Sequence, residues 1–109
     1  MLQNFNDENF FTEVQEAKKP LLVIFWGQGC YPCKMTIPEM EKLAEKHGQE
    51  LIVGEVNTDE NFNLARQFQI QVVPTLIMFK DGEPLAMSAG YQDVDGLIET
   101  FGPYFLQAE

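Results

Sequence analysis

Both cysteines of this 109-residue chain fall in one short stretch, WGQGCYPCK, as Cys30 and Cys33. Thiols at that spacing can form a fixed crosslink, hold a metal, or pass electrons by opening and closing a disulfide. A fixed crosslink stabilises by closing a loop in the unfolded chain, and this loop is among the shortest available. A closed zinc site takes four Cys or His ligands, whereas the chain has two cysteines and one histidine, His47. A metal would therefore need carboxylates or a second subunit, and His47 reads more simply as a partly buried helix residue. An exchange-active pair needs only one sulfur that ionises readily and a second within reach to resolve the mixed disulfide.

The flanking residues supply those conditions. Leu21 to Trp26 is a continuous apolar run, the pattern of a strand buried on both faces. Gly27 and Gly29 break it. From Cys33 to about His47 the periodicity turns helical, with Ile37, Met40, Leu43, Ala44 and His47 on one side. Cys30 thus sits just before a helix and Cys33 in its first turn, where free amide groups and the helix dipole favour a thiolate. Pro32 limits the backbone and helps start the helix, and Pro38 is expected to kink it. Cys30 is assigned as the outward nucleophile and Cys33 as the more buried resolving thiol.

Other elements must hold this turn in place. Asn6-Asp7-Glu8 offers a start for a first helix, with Phe10, Phe11, Val14 and Ala17 on one face, and Pro20 ends it. Leu51 to Val56 reads as a strand, followed by a helix bearing Leu64, Ala65 and Phe68. Thr75 to Phe79 and Pro84 to Ala89 form a hairpin around Asp81-Gly82. Val94, Leu97, Ile98, Phe101 and Phe105 trace a closing helix, and a short strand near Leu2 to Phe5 can precede the rest. Helical crossovers demand parallel pairing early in the chain, and the hairpin is antiparallel. The expected fold class is α/β, a mixed central sheet of four to five strands with helices on both faces, in a single domain over residues 1–109.

Hydrophobic residues make up 45% of the chain and charged residues 22%, the balance of a soluble globular protein. Seventeen acidic against seven basic side chains leave a net charge of −10, which repels nucleic acid and anionic membranes. No run is long enough to span a bilayer, and the amino terminus lacks a signal-peptide pattern. A cytoplasmic monomer with no nucleic-acid or membrane partner is expected.

The motif set resembles the thioredoxin family over nearly the whole chain. The segment LLVIFWGQGCYPCK is similar to the family's strand, Trp, two-cysteine and Lys pattern, and VVPTLIMFKDGE resembles its proline loop and hairpin. Pro38 and Gly90 fall where the family has a helix-kinking proline and a loop glycine. The resemblance implies the thioredoxin fold and a thiol–disulfide oxidoreductase that reduces protein disulfides. It implies a cis peptide bond before Pro74, whose loop faces the cysteines, and leaves the Val73 backbone free to pair with an extended substrate. Trp26, Tyr31, Pro32, Val73, Pro74 and Gly90 become the substrate surface. The resemblance also implies that no cofactor is bound by the chain and that electrons come from NADPH through a flavin-dependent thioredoxin reductase; no bound metal is expected.

The chain departs from the family at three places. Tyr31 replaces the usual glycine between the cysteines, and glutaredoxins carry Pro and Tyr there in the opposite order. Gly29 stands where a second tryptophan is usual. Ile24 replaces the aspartate that the family buries behind the second cysteine, and Glu55 falls where a lysine usually lies beside that acid. Glu55 is therefore the candidate proton relay, with solvent as its alternative. A thiol oxidant or isomerase, a glutathione-linked protein, a metal-bridged dimer and a docking module without turnover remain the competing readings.

Overall fold

The computed structural model describes residues 2–106. In chain order it contains β1 (Gln3–Asn4), α1 (Phe10–Glu16), β2 (Leu21–Trp26), α2 (Tyr31–His47), β3 (Ile52–Asn57), α3 (Phe62–Gln67), β4 (Thr75–Lys80), β5 (Glu83–Ala89) and α4 (Val94–Phe105). The sheet order is β1-β3-β2-β4-β5. β1, β3 and β2 run parallel, and β4 and β5 are each antiparallel to their preceding neighbour in the sheet. This is the expected mixed sheet, with the short first strand included.

The apolar run of β2 is central because every residue from Leu21 to Phe25 has apolar cover on its side of the sheet. Alternation divides them. Leu22 and Ile24 pack with Met40 and Leu43 of α2 and Leu97, Phe101 and Phe105 of α4. Leu21, Val23 and Phe25 pack with Phe10 and Val14 of α1 and Leu64 of α3. Gly54 in β3 is required by this second layer, since a Cβ there would run into the Phe5 ring. The β4–β5 hairpin turns on Asp81 and Gly82, with φ of 55° and 80°, the pair of positive values that suits a twisted two-residue hairpin.

Several boundaries differ from the sequence reading: β3 lies one residue later than the expected Leu51 to Val56, and Phe68 lies just past α3 as its C-cap. α1 begins at Phe10, not at Asn6-Asp7-Glu8, because Asn6 Oδ1 accepts the amides of Glu8 and Asn9 and closes a local turn first. Phe11 is 50% exposed while Phe10 and Val14 are buried; one residue of helix turns Phe11 about 100° away from the face they share. Ala17 lies beyond that helix as its extended C-cap. α2 begins at Tyr31, two residues before its apolar period becomes visible, with Cys30 just ahead of it and Cys33 in its first turn as expected, and it runs through Pro38, which stands on its exposed face.

Candidate active site

Cys30 is the N-cap of α2, with extended backbone, and its sulfur accepts the Cys33 amide at 3.2 Å. The helix can start there because Pro32, in its first turn, needs no amide partner. Cys30 and Cys33 are joined by a disulfide, with their Cα atoms 5.3 Å apart. The two sulfurs differ in access: Cys33 is 1% exposed, whereas Cys30 is partly exposed. In the reduced protein the amide aimed at Cys30 and the positive end of α2 both favour a thiolate at Cys30.

The approach to Cys30 is a loop, Gly27-Gln28-Gly29. It is pinned at its base by the Cys30 amide, which donates to the Gly27 carbonyl at 3.3 Å. Gly29 has φ of +78°, and nothing lies within 4 Å of where its Cβ would stand, so the replacement of a bulky residue there leaves open space. Val73 borders the same loop, with its Cγ2 at 3.6 Å from the Cβ position of Gly27.

Val73 and Pro74 are joined by a cis peptide bond. Pro74 is buried, and its carbonyl accepts the Gly90 amide at 2.9 Å, holding Gly90 at the end of β5 against the start of β4. Val73 is partly exposed, and its backbone takes part in none of the described hydrogen bonds. The fold thus brings Val73, Pro74 and Gly90 together beside the loop that leads to Cys30. Trp26 ends β2 and is partly exposed. Tyr31 and Pro32 share the first turn of α2 with Cys33; both are exposed, Tyr31 to 71%.

Glu55 occupies a different level. It lies in register with Ile24 of β2, and strand alternation puts both side chains on the α2/α4 face. Burial pushes its carboxyl above the ordinary value of 4.5, Trp26 opposes that rise, and the nearby Glu41 carboxylate adds to it. The Trp26 Nε1 is itself buried without a hydrogen-bond partner. Lys34 is exposed one residue after Cys33.

Several neighbours of the site carried no signal in the sequence. Thr58 and Asp59 bond to the end of β2 and to the loop after it across more than thirty positions. Glu39 of α2 accepts the Val94 amide at 2.9 Å, which ties α4 to the active-site helix. Val72 and Tyr91, beside Val73 and Gly90, are 57% and 46% exposed. A groove of about 310 Å³ lies away from the cysteines, on the α1/α3 face between Phe10, Phe11, Phe68 and Phe79. Among the described residues no group of three His, Cys, Asp or Glu side chains could hold a metal ion. Among the same residues no helix is long and apolar enough to cross a membrane.

Residues 1–102 match the family model described as thioredoxin. The chain is 43% identical over 84 residues to a thioredoxin of Mycobacterium tuberculosis, covering 77% of this chain and 72% of that protein. Identity to a thioredoxin of Alicyclobacillus acidocaldarius is 43% over 91 residues, covering 84% and 86%. A bifunctional thioredoxin reductase/thioredoxin of Mycobacterium leprae is 39% identical over 84 residues, which are 77% of this chain and 18% of that longer protein.

Proposed function

Since the chain belongs to the thioredoxin family and is a thiol–disulfide oxidoreductase with a Cys-x-x-Cys centre, we propose that Cys30 attacks the substrate disulfide and Cys33 resolves the intermediate. The observation that carries this division of labour is the burial of Cys33 beneath a partly exposed Cys30 at the start of α2.

In the reduced state the Cys30 thiolate attacks one sulfur of a substrate disulfide. The substrate S–S bond breaks, a Cys30–substrate mixed disulfide forms, and the departing sulfur leaves as a thiolate that takes up a proton. Cys33 then loses its proton and attacks the Cys30 sulfur. The Cys30–Cys33 bond forms, the second substrate thiol departs, and two electrons have moved from the pair to the substrate. Glu55 is the proposed acceptor of the Cys33 proton: it lies on the sheet face that α2 covers, and burial raises its carboxyl above the ordinary value, in the direction that suits a proton acceptor.

The polypeptide around the scissile disulfide lies across Trp26, Tyr31, Pro32, Val73, Pro74 and Gly90. The unpaired backbone of Val73 supports this, since an extended segment can hydrogen-bond to it as an added strand. Electrons return to the pair from NADPH through a thioredoxin reductase; the Mycobacterium leprae relative, whose name joins both activities, supports that source. The chain works as a single domain and a monomer in the cytoplasm, with proteins bearing disulfides as its substrates.

Trapping tests the assignment. A Cys33→Ser variant is expected to accumulate a mixed disulfide through Cys30 when given a protein disulfide, and Cys30→Ser to form none. A stable adduct through Cys33 in the Cys30→Ser protein, at a rate matching the first variant, would reverse the roles.

A further inference from the structure

The loop ahead of the nucleophile has little to hold it from within. Gly27 and Gly29 carry no side chain, Gln28 and Gly29 are exposed, and nothing stands within 4 Å of the Cβ position of Gly29. Its restraints come from the turn after β3. The Thr58 amide and hydroxyl both donate to the Trp26 carbonyl, at 2.8 and 2.9 Å. Two residues further along the loop, the Gln28 amide donates to Asp59 Oδ2 at 2.7 Å. That carboxylate also stands 3.7 Å from the Cβ position of Gly27.

The turn that presents Asp59 is itself fixed. Its amide donates to Asn57 Oδ1 at 2.9 Å, and Asn61 Nδ2 donates to the Asn57 carbonyl at 2.9 Å. Asn61 is buried and also accepts the Asp7 amide at 2.9 Å. A chain of bonds therefore runs from the amino-terminal segment through the turn to the loop, and from the Gly27 carbonyl to the Cys30 amide.

We propose that Asp59 is a positioning residue for Cys30: its carboxylate fixes the Gln28 amide, so that the loop holds the Cys30 sulfur over the first turn of α2. The proposal rests on Cys30 being the attacking thiol. A hydrogen bond to a carboxylate is stronger than one between neutral groups, and this one is placed where two glycines otherwise leave the backbone free. Without it Cys30 spends part of its time away from the helix amides that favour its thiolate. The charge of Asp59 acts in the opposite direction, because a carboxylate near a thiolate raises the thiol's pKa. Positioning and charge therefore predict opposite signs.

The test compares wild type, Asp59→Ala and Asp59→Asn as reduced, full-length proteins. Cys30 is titrated by the pH dependence of iodoacetamide labelling, mapped by mass spectrometry, and turnover is followed on insulin disulfides with dithiothreitol as reductant. Asp59→Ala is expected to raise the Cys30 pKa and lower kcat/KM about fivefold, mostly in kcat, as a misplaced reacting group does. Asp59→Asn keeps an acceptor oxygen and is expected to restore most of the loss. A lowered Cys30 pKa in both variants would show that charge dominates and overturn the proposal. So would a fall in Tm with labelling and kcat/KM unchanged. Fast labelling of Cys33 in place of Cys30 in wild type would overturn the nucleophile assignment, and this proposal with it.

Discussion

Ile24 and Glu55 stand opposite one another in the parallel register of β2 and β3, on the sheet face that α2 and α4 cover. An aliphatic side chain at the first position cannot carry a proton, and it is fully buried beside a partly buried carboxylate at the second. Burial is accordingly the leading cause of the raised pKa of Glu55.

Glu55→Gln removes the proposed acceptor and keeps the shape. Resolution of the mixed disulfide at neutral pH is expected to slow by about tenfold or more, within reach of general-base effects, while the first attack by Cys30 is unaffected. Rapid-quench measurement of the two steps separates them. Equal rates in both proteins across pH would leave the proton to solvent.

The same shift makes a stability statement. The folded protein holds the Glu55 proton more tightly than the unfolded chain, so stability falls as pH rises from the ordinary value of 4.5 through the raised folded value. Glu55→Gln is free of that loss. Its Tm relative to wild type is expected to improve as pH rises from 4 to 8, a trend that calorimetry reads directly.

Glu39 carries the opposite sign. Its carboxylate receives a hydrogen bond from Lys42 and then one from the Val94 amide, and both hold its pKa below the ordinary 4.5. That contribution is present above 4.5 and is lost as pH falls through the lowered folded value. Glu39→Gln is expected to have a lower Tm than wild type at pH 7, and the difference should shrink in acid. A gap that persists unchanged into strong acid would point to lost packing instead of lost charge.

Phe10 tests the layer remote from the chemistry. Its ring meets Phe5, Phe25, Phe68 and Phe79 at centroid distances of 5.3 to 6.5 Å. Phe10→Ala is expected to cost about 3–5 kcal/mol in denaturant unfolding, the range for large-to-small changes in a core. The reduction potential of the cysteine pair should stay within error of wild type in the folded protein.

The cysteine turn was legible in the sequence because its signals are local. An apolar run, two glycines and a helical period place Cys30 and Cys33 without any knowledge of the rest of the fold. The same holds for the Asp81-Gly82 hairpin. Phe11 was misplaced because periodicity on a helix of seven residues leaves the edge of the buried face undefined. The apolar period of α2 shows only from Cys33, two residues inside the helix, and its cap is a cysteine, a role that Ser, Thr, Asp and Asn usually fill. Asp59 and Glu39 were invisible for a different reason. Their partners lie 31 and 55 positions away, and neither an acid in the polar run from Asn57 to Asn61 nor one between Pro38 and Met40 carries a mark of such a bond.

The most direct test of the central claim is a redox titration of the Cys30–Cys33 pair in defined thiol–disulfide buffers, following Trp26 fluorescence and trapped thiols together. A disulfide reductase requires one reversible two-electron transition, and a potential near the thioredoxin value of about −270 mV is expected. A potential close to the isomerase value of about −180 mV, or no reversible two-electron step at all, would contradict it.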